Sequence, residues 1–223
     1  MLILGIDTAG RRTGAALVDD EEVLATRSSI GPHSAALLPM ISELLASQAL
    51  GPAALDLIGV ARGPGSYTGL RVGVVTAKAL GRATKTAVIG VPTLDAMARE
   101  APESARRVLV ALHAYKRRVL YGWYERDDRG LLVADEPPLL VAADSVPRAG
   151  HGEAVITDAE ALLPDLDHWG AEVPVFEDAA LFVARLARSR YLKTATDETY
   201  ELVPDYLKPP SVTMKSGGTS VRP

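Results

Sequence analysis

The 223-residue chain contains no cysteine. That excludes disulfides and thiolate metal sites, and it fits a reducing, cytoplasmic setting. Histidine is scarce: His33, His113, His151 and His168 are the full set, and no two are four residues apart. A helical His-x-x-x-His chelate, whose imidazoles must share one face, is therefore absent. No apolar run is long enough to span a bilayer. The start, MLILGIDTAG, has no basic n-region and is interrupted by Asp7, so it reads as a buried strand rather than a signal peptide. There is no Gly-x-Ser-x-Gly nucleophile elbow, and the glycine-rich GPGSYTG at 63–69 lacks the Lys-Ser/Thr that completes a P-loop.

What is present suits a globular protein of one large domain or two small ones, with 48% apolar and 23% charged residues. The net charge is −4, but its sign is segregated. Residues 62–118 hold eleven Lys or Arg against three acids, and residues 127–178 hold thirteen acids against two basic residues. Such asymmetry marks either a nucleic-acid or partner surface on the basic part, or ordinary solvated faces.

LILGID, GAALVD and EVLATRSS read as three strands joined by tight turns. SAALLPMISELLASQAL has helical spacing, with His33 or Ser34 placed to cap it and Pro39 expected to disturb its first turn. LDLIGVARG is a strand, 69–83 a helix and AVIGV a strand, which requires a crossover and parallel pairing. Residues 1–92 thus read β-β-β-α-β-α-β. A helix at TLDAMAREAPESARR marks a boundary. The pattern then partly restarts with RVLVALHA, VLYGWYERD, GLLVADEPPLLV and EAVITD as strands and EDAALFVARLARSRYL as a helix. The second half reads as a shorter copy of the first, and the polar tail KPPSVTMKSGGTSVRP as loosely held.

In the helix after GPGSYTG, Gly69, Gly73, Ala77 and Gly81 fall every fourth position. Three helical glycines cost roughly 2–3 kcal/mol of propensity against alanine. Close approach of another backbone would offset this. Either this chain's own sheet or a partner's helices could supply it. Arg71, Lys78 and Arg82 lie within about 40° of one another on a different face of the helix.

GPGSYTGLRVG, together with MLILGIDTA, HSAALLPMI and the C-terminal VPDYLK, resembles the bacterial TsaB family, also called YeaZ. The resemblance is strong over 1–97 and covers most of the chain. It implies an α/β, actin-like ATPase fold of two RNase H-like halves, the second degenerate. The halves would span 1–102 and 103–207, with a tail at 208–223. It implies a cytoplasmic, non-catalytic subunit that activates TsaD and acts with TsaE. These proteins make N6-threonylcarbamoyladenosine at position 37 of tRNAs reading ANN codons, and tRNA would be met through the complex. It also implies a homodimer in isolation, no membrane partner, no cofactor held by the chain alone, and room for ATP or ADP at the junction with TsaD. The alternative is an actin-like ATPase or hydrolase acting on its own, in line with older glycoprotease names in the family.

The resemblance directs attention to particular residues. Thr93 and Met97 stand where TsaD carries its metal-binding histidine pair, and a hydroxyl with a thioether does not hold a hard or borderline dication. Asp7 and Thr8 occupy the first phosphate hairpin of the fold and are the candidate cofactor-binding residues, as a vestige: Asp7 either meets Mg²⁺ through water or caps nearby amides. In the second hairpin His113 and Tyr115 replace the Asp and Arg of a family Asp-Ala-Arg pattern. Lys116, Arg117 and Arg118 stand where Met-Gly-Glu is frequent. His33 reads as structural. Helices 34–49 and 69–83 are expected side by side, meeting a partner's matching pair. The expected interface is Leu38, Ile41, Leu45, Gly69, Leu70, Arg71, Gly73, Val74, Ala77, Lys78 and Gly81.

Overall fold

The computed structural model describes residues 1–174, 176 and 178–206. Strand alternation sets its first layer. Strands β1 (Leu2–Asp7), β2 (Arg12–Asp19) and β3 (Glu22–Ile30) form an antiparallel meander. Strands β4 (Leu57–Gly63) and β5 (Ala87–Pro92) add in parallel, giving the order β3-β2-β1-β4-β5. Leu4 and Ile6 of β1 join the core beneath helices α1 (His33–Ser47) and α2 (Tyr67–Thr84), while Ile3 joins the core on the opposite face. This is the period of two that a sheet covered on both sides requires.

The opposite face is covered by α4 (Ala180–Thr194), which packs on β1, β2 and β4. Two strand glycines let it come close. A Cβ on Gly5 would stand 2.9 Å from the Ala184 Cβ, and one on Gly59 would stand 2.7 Å from the Ala187 Cβ.

The second sheet has the order β10-β6-β7-β8, from β6 (Arg107–Tyr115), β7 (Arg118–Arg126), β8 (Leu132–Ala134) and β10 (Glu153–Thr157). A further short strand, β9 (Leu139–Ala142), also pairs with β7. The single strand expected over GLLVADEPPLLV is thus two. Pro137 and Pro138 lack the N–H groups that would carry the ladder across 135–138. Among the described residues, the outer face of this sheet has no long helices. Short 3-10 turns at 143–145, 160–162 and 166–168 accompany a core of Leu109, Val155, Leu163, Leu166 and Trp169. That is what makes the second half a reduced copy.

Three local expectations are corrected. Helix α1 runs through Pro39 unbroken, and Pro32 rather than His33 or Ser34 stands at its N-cap, with no side-chain cap. The helix before the second half, α3, is only Thr93–Ala98. Sequence halves are also not spatial halves. Residue 102 separates the two sheets, yet α4 from the later segment packs on the first sheet. Residues 197–206 return along the edge of β5: Glu198 N donates to the Val88 carbonyl at 2.8 Å, and Asp205 N to that of Arg62 at 2.7 Å. The tail 208–223 and the end of VPDYLK lie outside the described residues.

Candidate partner-binding surface

The GPGSYTG turn places α2 directly against the first hairpin. Ser66 N donates to the Ala9 carbonyl at 2.7 Å, and Ser66 Oγ accepts from Gly69 N at 3.3 Å, capping the helix. The small-residue stripe then faces inward. A Cβ on Gly69 would overlap the Thr8 carbonyl, one on Gly73 the Thr8 hydroxyl, and one on Gly81 would stand 2.8 Å from the Thr86 carbonyl. Leu70, Val74 and Ala77 are buried between these glycines, and Ile41 and Leu45 of α1 lie in the same core.

The expected interface is therefore corrected for Ile41, Leu45, Gly69, Leu70, Gly73, Val74, Ala77 and Gly81. Their close approach is to this chain's own sheet. Full burial of Leu70 and Val74 contributes about 1.5–3 kcal/mol each, enough to offset the helix-propensity cost of the glycines.

The basic row is corrected in part. Lys78 Nζ donates to the Tyr200 and Leu202 carbonyls at 3.0 and 2.9 Å, and the Arg82 guanidinium lies 5.4 Å from the centre of the Tyr200 ring. Both tie down the returning C-terminal segment. Arg71 stays exposed and stacks over Tyr67 at 5.5 Å. Tyr67 also meets Tyr206, with ring centres 4.6 Å apart.

What α1 and α2 present outward is apolar and lightly decorated. Leu38 is 56% exposed and Val75 64%, with Tyr67 and Ala79 also exposed on α2. Of the expected interface, Leu38 and Arg71 lie on this outer surface. Val75 was missed because attention to small residues selects the buried side of a helix.

The cleft between the two halves, where an actin-like fold would hold a nucleotide, encloses about 170 Å³ lined by Asp7, Gly10, Arg11, Thr93, Met97 and Asp158. Asp7 is buried and caps amides, accepting from Ala9 N and Ala179 N at 2.9 Å each. Burial pushes its carboxyl up, against these two hydrogen bonds. The Thr8 hydroxyl donates to the Gly69 carbonyl at 2.8 Å. Both remnants of the phosphate hairpin are thus engaged in holding the fold.

Asp158, which sequence reasoning missed, follows β10 as Asp7 ends β1. The shared strand-end acid in LGID and VITD was the available signal. Its Oδ1 accepts from His113 N at 2.7 Å. Its Oδ2 has no hydrogen-bond partner and would stand 3.0 Å from a Cβ on Gly10. Burial raises its pKa as well, opposed by the His113 amide. Asp158 Oδ2 thus lies beside the backbone of the first hairpin. Thr93 and Met97 line the same cleft and are buried, and the described residues contain no group of three His, Asp or Glu that could hold a metal. His33 bonds its Nδ1 to the Thr13 hydroxyl at 2.8 Å, and burial lowers its pKa, so its role is structural, though it does not cap α1.

No helix among the described residues is long and apolar enough to cross a membrane. A family model described as TsaD, tRNA N6-adenosine threonylcarbamoyltransferase, matches residues 27–163. The tRNA threonylcarbamoyladenosine biosynthesis protein TsaB of Escherichia coli K12 is 33% identical over 150 residues, covering 66% of this chain and 64% of that protein. Its counterpart from Haemophilus influenzae is 27% identical over 227 residues, covering 93% and 94%. Among solved structures, YeaZ from Pseudomonas aeruginosa matches with a TM-score of 0.76 at 22% identity, covering 92% of this chain and 99% of that one. Component A of the Acidaminococcus fermentans (R)-2-hydroxyglutaryl-CoA dehydratase matches with 0.53 at 11%, covering 88% and 100%. The two-sheet α/β architecture is the actin-like fold that these structures share. On sequence and fold together, the chain belongs to the TsaB/YeaZ family of tRNA threonylcarbamoyladenosine biosynthesis proteins.

Proposed function

We propose that this chain is a non-catalytic subunit that docks the outer face of its α1–α2 pair on TsaD and, with TsaE, supports threonylcarbamoylation of tRNA. The observation that carries the reading is the outward face itself. Leu38 and Val75 stand exposed on two adjoining helices whose other sides are core. Exposed apolar surface rimmed by polar residues favours a protein partner. The choice of TsaD follows from the family match. The segment matching the TsaD model includes both helices, so the partner would bring a corresponding pair and the two would meet about a pseudo-two-fold axis. A second copy of this chain could use the same face in the absence of TsaD, giving a homodimer that competes with the heterodimer.

The lack of activity on its own is supported by the cleft. A catalytic phosphate site needs cations and amides aimed at developing negative charge. Here the half-buried Asp158 carboxylate lies beside the phosphate hairpin and the buried Asp7 carboxylate holds the strand end. ATP or ADP would then be held only at the junction, with groups from TsaD. Reconstitution tests this: tRNA, TsaD and TsaE with this chain should give modified tRNA, and omission of the chain should remove most of the product. The Val75→Glu variant should remain folded and behave like omission. Hydrolysis of ATP or peptide by the purified chain, lost on Asp7→Ala, would overturn the reading.

A further inference from the structure

Two hairpin turns from different sheets converge beside the cleft. One is Gly10–Arg12 between β1 and β2. The other is Lys116–Arg117, closing β6 and β7 with Tyr115 paired to Arg118. The first turn borders one open hollow of about 590 Å³, lined by Arg11 from that turn and by His113 and Ala114 at the end of β6, just before the second turn. Asp158 fixes the convergence, lying under Gly10 and accepting from His113 N.

The charges on these turns are unspent. Among the described residues, Arg11, Lys116, Arg117 and Arg118 make no ion pair. All four are exposed, and only Arg118 has a hydrogen bond from its side chain, to the Leu140 carbonyl. This is notable in a half that is otherwise acidic. Asp158 and Glu160 line the neighbouring cleft with Arg11, and neither makes an ion pair with these cations among the described residues. Lys116 also sits in the left-handed region, with φ of 54°. Glycine would hold this place without cost, while a long side chain costs about 1–2 kcal/mol. The position thus carries a cation against its backbone preference.

We propose that these two turns form a ridge that binds the phosphodiester backbone of RNA. The inference rests on the tRNA reading above for the identity of the RNA, and, for the contact itself, on unpaired cations carried by Arg11 at the hollow and by the turn that follows its His113–Ala114 wall. Flexible, fully hydrated cations suit phosphate positioning, which sets orientation without reading sequence.

The test is binding of an unmodified, transcribed tRNA to the full chain by fluorescence anisotropy, between about 50 and about 200 mM salt. Four phosphate contacts give a log–log salt slope of about −3 to −4, a loss of roughly 10²-fold across that range. Lys116→Gln with Arg117→Gln should flatten the slope by about 2 units. Both side chains are exposed and unbonded, so the fold should be unaffected. The control pair, Arg106→Gln with Arg129→Gln, lies at the other end of β6 and β7, about 26 Å along the strand, and should leave the slope unchanged. Failure of the parent chain to bind, or an equal effect from both pairs, overturns the proposal. Stimulation of TsaD is measured in parallel. If the chain does not stimulate TsaD but binding persists and depends on the hairpin, the partner reading fails and this one stands. If it stimulates TsaD while the hairpin variant binds tRNA as the parent does, the reverse holds.

Discussion

Replacing Gly73 by alanine separates an internal stripe from a docking stripe. In a free helix the change would be favourable by up to about 1 kcal/mol. Here the new methyl overlaps the Thr8 hydroxyl and stands 3.5 Å from Val60 Cγ2. Overpacking of a filled core costs about 1–3 kcal/mol. Displacing the Thr8 hydroxyl also weakens its 2.8 Å bond to the Gly69 carbonyl, a loss of about 0.5–1.5 kcal/mol. The net expectation is destabilisation of about 1–3 kcal/mol. For a chain of this size each kcal/mol moves Tm by about 2–4 °C, so thermal unfolding followed by circular dichroism should shift down by about 2–12 °C. The cycle with Thr8→Ala localises the effect. The double variant should recover part of the loss, with a coupling of about 0.5–3 kcal/mol. A Gly73→Ala chain as stable as the parent would refute the argument. If that stable chain also failed to bind TsaD, the stripe would return to the partner surface.

On the outer face, Leu38→Glu and Val75→Glu should each change stability by no more than about 0.5 kcal/mol, since neither fills core, yet abolish co-elution with TsaD on size exclusion. A folded variant that still co-elutes would remove this face from the interface. Asp7→Asn leaves one acceptor oxygen for the Ala9 and Ala179 amides, so it should destabilise by about 1–3 kcal/mol, measured by urea unfolding. An unchanged midpoint would show that the cap is dispensable. Glu100 is pushed up to about 7 by burial, with Asp178 adding to the rise and Arg185 opposing it. Because the folded state holds this proton more tightly, the stability it contributes is complete below about pH 4.5 and is lost as pH rises to about 7. Glu100→Gln should therefore stabilise the chain at pH 8, by about 1 kcal/mol after allowance for its partial exposure, and have little effect at pH 4.5. Equal effects at both pH values would contradict this.

How much of this was legible depended on what the sequence pattern encodes. The first sheet was readable because alternation in β1 and β2 and the glycine turns at 51 and 63 carry element type and order. The stripe at Gly69, Gly73, Ala77 and Gly81 was also readable, but its destination was not. Periodicity says which residues share a face and is silent on what covers it. The same blindness hid the use of Lys78 and Arg82, whose partner, the 198–202 segment, is more than a hundred residues away in sequence. It also hid α4, a recognisable amphipathic helix whose docking on the first sheet is prepared by Gly5 and Gly59 in strands far upstream. Asp158 could have been found by comparing the ends of LGID and VITD. The reduced second half obscured it because the helices that flank such a strand end in the first half have no counterparts there.

On the proposed reading, the same contacts would link the want of a nucleotide site to the partner surface. In an actin-like ATPase the phosphate hairpins must stay open to ligand, so that binding energy can draw the halves together. Here Thr8 bonds α2, Asp7 bonds the amide just before α4, and Asp158 lies beside Gly10 and bonds the His113 amide. Each contact joins segments that are distant in sequence. These contacts hold α2 and the first hairpin in fixed relation to the β6–β7 hairpin. Ordering such surfaces before binding lowers the entropy lost on association. A rigid chain that meets a protein on one side and an RNA backbone on another is of most use when neither contact is free to shift relative to the other. The three closing contacts make that expectation specific. Loosening the Asp158–Gly10 contact by Asp158→Ala should weaken the dependence of tRNA binding on Lys116 and Arg117 without touching the α1–α2 face.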